Sequence, residues 1–298
     1  MTVARCKLLV VRLPGLERFP ALRRFVRDRA AMFGLALVAL ALAAATIGPE
    51  VAPYDPAALH VDALLVGPGS RFWLGTDELG RDLLSRVLLG ARVSLSIAVG
   101  VVSLAGLAGI SFGLVAGYFG GRLDAVLMRC MDAIFAFPAV LLALALVSVL
   151  GASTRNLVIA ITLVYVPVFA RLVRGLTQQL RSELYVEAAR ALGASDARIV
   201  VAHILPNISA PIIVQATVIL AYAILVEAAM SFLGLGVQPP TPTWGGMLAA
   251  GKGFLEQSPW VAIVPGLAIM LTVLGFNLLG DGVSDLLDPR LSQEVGGR

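Results

Sequence analysis

Residues 187–206 read EAARALGASDARIVVAHILP and lie between apolar runs at roughly 157–174 and 210–236. Loops between such runs are ordinarily short, yet this one carries helix formers, mixed charge, a central glycine and a terminal proline. The stretch SELYVEAARAL (182–192) is rich in good helix formers. Gly193 stands where a left-handed residue would end that helix. Ser195 or Asp196 is placed to cap a second helix, DARIVVAHIL, which Pro206 closes ahead of the next apolar run. Ile199, Ala202 and His203 share one side of that second helix. Two uses fit it: insertion into a partner's groove, or an amphipathic linker lying on a membrane surface.

The composition of the whole chain explains the apolar runs. Its 298 residues are 58% hydrophobic and only 14% charged, with a mean hydropathy of +0.90. Soluble domains carry nearer a quarter charged residues, so this is a membrane protein. Six runs approach the length a helix needs to cross a bilayer: 32–52, 93–118, 132–150, 157–174, 210–236 and 260–283. The fold class expected is therefore all-α and polytopic, with six transmembrane helices. Pro138 and Pro167 interrupt the third and fourth runs, which spans tolerate when neighbouring helices satisfy the freed carbonyls. The first run ends in small residues like a signal peptide, but 31 residues precede it, which favours an uncleaved signal anchor.

Arginine and lysine counts orient the chain. Residues 1–31 hold eight (Arg5, Lys7, Arg12, Arg18, Arg23, Arg24, Arg27 and Arg29), whereas 53–92 holds four against five acids. The N-terminal tail is thus expected in the cytoplasm, and an even number of spans returns the C-terminus there. The 182–206 segment, with Arg181, Arg190 and Arg198 in or beside it, falls on the same side. This divides the chain into a cytoplasmic tail (1–31), a first helix (32–52), an extracytoplasmic segment (53–92), a five-helix core (93–285) and a cytoplasmic C-terminal tail (286–298). The scattered arginines form no basic stripe, so a net charge of +4 does not indicate nucleic acid. Cys6 and Cys130 both fall on the cytoplasmic side, where a disulfide is not expected.

The pattern EAA, three residues, Gly, ten residues, Ile-Leu-Pro resembles the EAA motif of permease subunits from ABC-type importers. Glu187, Ala188, Ala189, Gly193, Ile204, Leu205 and Pro206 fall in step with it. FWLGTDELGRDLLSRVLLGARVSL (72–95), YFGGRLDAVLMRCMDAIFAFP (118–138), EAAMSFLGLGVQPPTPTWGGML (227–248) and GDGVSDLLDPRL (280–291) extend the likeness. They resemble the C-type permease subunit of the dipeptide, oligopeptide and nickel importer family. The resemblance implies the type I importer permease fold, half of a translocation pathway for peptides, and no catalytic or cofactor site in this chain. It also implies four kinds of partner: a homologous B-type permease, two ABC ATPase subunits, an extracytoplasmic substrate-binding protein and membrane lipid. The matching motif residues, with Ala197 in the helix that follows, would couple this subunit to an ATPase subunit. Nickel chelate or haem are alternative cargoes within the family. A proton-coupled secondary transporter is the alternative from another class.

Several other features have an ordinary reading beside a functional one. Ala105, Gly109, Gly113 and Gly117 recur every four residues, a stripe that lets backbones approach closely inside the subunit or against a second permease. Glu227 lies deep in an apolar run, where a carboxyl either lines the pathway or ties helices together through hydrogen bonds. Asn277, Asp281 and Asp285 sit four apart on one face of the last span, as an inner gate or a solvated helix end. GMLAAGKG (246–253) nearly spells a nucleotide-binding loop, but Gly253 replaces the hydroxyl that would hold Mg²⁺ and no strand precedes it. No nucleophile motif and no Cys/His cluster offers catalysis or a metal site.

Overall fold

The computed structural model describes residues 25–287, and every regular element among them is a helix. Helix α1 (Arg29–Thr46) opens at Asp28, whose carboxylate accepts the Ala30 N–H at 2.8 Å. It ends short of the expected 52, and Gly48–Val51 forms a separate turn before the chain leaves the bundle. Helix α2 (Leu83–Phe119) begins ten residues ahead of the expected 93, because Asp82 caps it through the Ser85 N–H at 2.8 Å. Its 37 residues contain no proline and run unbroken.

The expected third span, 132–150, is two helices. Helix α3 (Gly121–Phe135) and helix α4 (Ala139–Leu150) meet at 90°. Pro138 causes the break: it cannot continue α3, and its extended backbone (ψ 131°) starts α4 in a new direction. Pro167 behaves differently and sits buried inside helix α5 (Thr154–Arg181) without interrupting it. Helix α6 (Leu184–Ala191) follows.

Pro206 does not close the segment before the fifth span. Asp196–Arg198, a π-helical stretch Ile199–Ile204 and helix α7 (Leu205–Phe232) form one continuous rod of 37 residues. A proline has no N–H to give and its ring crowds the carbonyl four residues back. The widened π turn just ahead of Pro206 absorbs both, so the helix passes through. Helix α8 (Trp244–Gly251) and helix α9 (Trp260–Leu287) complete the described residues. Among the described residues, five helical stretches are long and apolar enough to cross a membrane, or six if the bent α3–α4 pair counts as one.

The core is organised by the glycine stripe, which is used inside the subunit. A Cβ on Gly109 would fall 2.7 Å from the Val166 carbonyl oxygen, one on Gly113 2.7 Å from that of Ala170, and one on Gly117 2.8 Å from that of Arg174. Both series advance by four, so α2 and α5 run parallel with backbones in direct contact. Helices α1 and α9 cross in the opposite sense, Gly34 against Leu278 and Gly275 against Leu37. The bundle thus has two ends. Residues 47–82 and α8 gather at the loop end, and α3, α6 and Asp196 at the motif end.

Candidate functional site

At the motif end, α6 is held by its inner face and free on its outer one. Val186 is fully buried in a small apolar cluster with Leu114, Tyr118, Val173, Ile199, Ile204 and Ile208. Leu184 and Leu192 are 80% and 89% exposed and, with the exposed Ala188 between them, form a stripe spaced by four. The helix stops in a Schellman turn: the Ala194 N–H donates to the Ala189 carbonyl and the Gly193 N–H to that of Arg190, both at 3.0 Å. Gly193 takes φ +82°, the left-handed conformation its place in the sequence predicts. The Ser195 hydroxyl accepts the Arg198 N–H at 3.4 Å and caps the rod beyond. Glu187 and Arg190 line an open cleft of about 430 Å³ with Gly117, Gln178, Arg181 and Ser182.

The motif residues therefore divide. Glu187, Ala188, Gly193, Ala197 and Pro206 are exposed, Ala189 and Leu205 are half-buried, and Ile204 is buried. Ile199, which the sequence puts on a free side with Ala202 and His203, belongs to the buried cluster instead. The free apolar face lies on the first short helix.

Glu227 is fully buried toward the loop end and is hydrogen-bonded. Its carboxyl accepts the Ser231 hydroxyl at 2.7 Å and the Ser94 hydroxyl at 3.1 Å, and so joins α7 to α2. The Trp244 N–H donates to the same Ser94 oxygen at 3.4 Å and brings the start of α8 into the cluster. Asn277, Asp281 and Asp285 all lie exposed on α9. The near-match GMLAAGKG is helical through Gly251 and offers no loop to wrap a phosphate. Among the described residues no group of His, Cys, Asp and Glu is placed to hold a metal.

Comparison with known proteins decides the family. Residues 109–293 match the family described as "Binding-protein-dependent transport system inner membrane component". Residues 20–68 match "N-terminal TM domain of oligopeptide transport permease C". The chain belongs to this permease family. Its relatives include "Dipeptide transport system permease protein DppC" of Alkalihalophilus pseudofirmus, 43% identical over 91% of this chain and 89% of that one. "Di/tripeptide transport system permease protein DppC" of Pseudomonas aeruginosa is 46% identical over 90% of each. "Glutathione transport system permease protein GsiD" of Pectobacterium atrosepticum is 45% identical, again over 90% of each. A solved structure, "Inward facing conformations of the MetNI methionine ABC transporter", superposes with a TM-score of 0.52 at 16% identity. It covers 69% of this chain and 94% of that one, and supports the fold alone.

The permease is thus a multi-pass inner membrane protein and the membrane subunit of an ABC complex, with no enzymatic activity of its own. Sequence reading missed the side chains that brace its motif end. Arg174 pairs with Asp124 through both its Nε and its Nη2, the latter at 2.7 Å, and Gln178 donates to the same carboxylate at 3.3 Å. Arg171 donates to Asp132 at 2.7 Å and lies 4.1 Å over the Phe135 ring. These pairs clamp α3 across α5. The signal was present, since Asp124 and Asp132 stand eight apart, on one helical face, as Arg171 and Arg174 do at a spacing of three.

Proposed function

We propose that this permease forms half of the translocation pathway of an ATP-driven importer for di- and tripeptides or glutathione. The cargo is inferred from relatives at 43–46% identity whose names specify dipeptide, di/tripeptide and glutathione transport. A homologous B-type permease completes the pathway, two ABC ATPase subunits drive it, and a binding protein delivers substrate at the loop end. The tail, α6 and the C-terminus face the cytoplasm, in keeping with the arginine count. The observation that carries the coupling role is α6 itself. Two leucines at 80% and 89% exposure on a helix anchored by a fully buried valine make an apolar ridge with a fixed orientation. A groove on an ATPase subunit fits such a ridge, with Glu187 beside it to meet a basic group. Closure of the ATPase pair on ATP would draw α6 inward and switch the pathway between its two openings.

The test uses the purified complex in proteoliposomes. Binding protein loaded with dialanine, trialanine or glutathione is expected to stimulate ATP hydrolysis and drive uptake of that same compound. A cysteine introduced as Leu192→Cys is expected to crosslink to the ATPase subunit. No crosslink from any position along 184–203 would reduce the segment to a surface linker and overturn the reading.

A further inference from the structure

Tyr118, near the end of α2, is buried, with 4% of the residue exposed. Its hydroxyl donates to Asp196 Oδ1 at 2.5 Å and accepts from Arg190 Nη2 at 3.4 Å. The Arg190 guanidinium carbon also stands 5.8 Å from the ring centroid. One hydroxyl therefore joins three elements: the end of α2, the end of α6, and the first residue of the Asp196–Phe232 rod. At its other end α2 is joined again. The Trp244 indole N–H donates to the Val87 carbonyl at 3.0 Å, and Ser94 takes part in the Glu227 cluster. Between these joints α2 has no proline, and the glycine contacts hold it backbone to backbone against α5. A helix of 37 residues spans about 55 Å, enough to connect the two ends of the bundle directly.

We propose that Tyr118 is a positioning residue for coupling. Through Arg190 it takes up the displacement of α6, and through Asp196 that of the start of the rod, and passes both into α2, which delivers them to α8 at the loop end. This inference rests on α6 docking against the ATPase subunit. It adds α2 as a second route beside the rod, branching from the rod's first residue and from α6 at Tyr118.

The assay is ATP consumed per dialanine imported by the complete importer in proteoliposomes, or per glutathione if that is the cargo the wild type carries. Tyr118→Phe keeps the ring and removes the joint. It is expected to assemble normally and to raise ATP consumed per import about tenfold or more, the scale of one lost charge-assisted hydrogen bond. Asp196→Ala, on an exposed residue, is expected to do the same. The double variant should be no worse than Tyr118→Phe alone, because that substitution already removes the bond to Asp196. A role in stability alone would lower the amount of complex and both rates together, and the ratio would stay constant. An unchanged ratio in assembled Tyr118→Phe, or additive effects in the double variant, overturns the proposal. Should Tyr118→Phe assemble poorly, the ratio in Asp196→Ala decides by itself. Crosslinking of Leu192→Cys in the same preparations separates the two readings. A crosslink with an unchanged ratio removes only the Tyr118 joint, whereas no crosslink in the otherwise wild-type complex removes the docking of α6 and this inference with it.

Discussion

Glu227 shows what a buried carboxyl does when both oxygens have partners. Ser231 and Ser94 each donate to it, so replacing it with an isosteric amide keeps an acceptor for one hydroxyl and preserves the shape. Glu227→Gln is expected to leave assembly and transport near wild-type. Glu227→Leu strands both hydroxyls in a dry site, at about 1–3 kcal/mol, and is expected to lower the thermal midpoint of the purified subunit. Loss of transport in an assembled, ATP-hydrolysing Glu227→Gln complex would instead demand a charge-specific role. Gly193 is the second residue whose chemistry is fixed by place. Nothing lies within 4 Å of a Cβ built there, so the cost of substitution is the left-handed backbone itself. Gly193→Val is expected to cost about 1–2 kcal/mol or more locally, and Gly193→Asn much less. Transport and stimulated ATP hydrolysis should follow that order while binding-protein affinity for substrate stays constant.

Among elements, the α2–α5 pair offers the sharpest contrast. A Cβ on Gly113 would lie 2.7 Å from both the Ala170 carbonyl oxygen and the Val173 Cβ, whereas one on Gly175 would meet nothing. Gly113→Ala is expected to cost about 1–3 kcal/mol by overpacking and Gly175→Ala to be neutral or mildly stabilising, read as thermal midpoints in detergent. The sequence made the existence of this stripe plain, since small residues every fourth position have one use. The helix it packs against was beyond reach, because any parallel or antiparallel neighbour satisfies the same spacing. The α3–α4 bend was legible only in part. Pro138 was visible, but a hydropathy window cannot register α3, whose charged face pairs with arginines 39 and 50 positions away. Pro206 misled for a related reason: a π turn that lets a proline through leaves no mark in composition. The cap at Gly193 was readable because it depends on local backbone alone.

For the molecule as a whole, orientation is the property that everything else inherits. With Cys6 and Cys130 replaced, single cysteines introduced as Ala4→Cys and Ala194→Cys are expected to resist a membrane-impermeant thiol reagent in intact cells. Ser70→Cys is expected to react. Labelling at position 194 in sealed cells would put α6 on the wrong side for any ATPase. The parallel course of α2 and α5 has a further consequence at this scale. Both helices end at the motif end, so two carbonyl termini, each carrying partial negative charge, lie side by side where an antiparallel pair would cancel. The Arg181 guanidinium lies 3.2 Å from where a Cβ of Gly120 would stand, over the terminus of α2, and Arg181 is itself in the last turn of α5. Each such cation against a helix terminus is worth about 0.3–1 kcal/mol. A single arginine, Arg181, thus stands where the aligned dipoles of the two central helices both end.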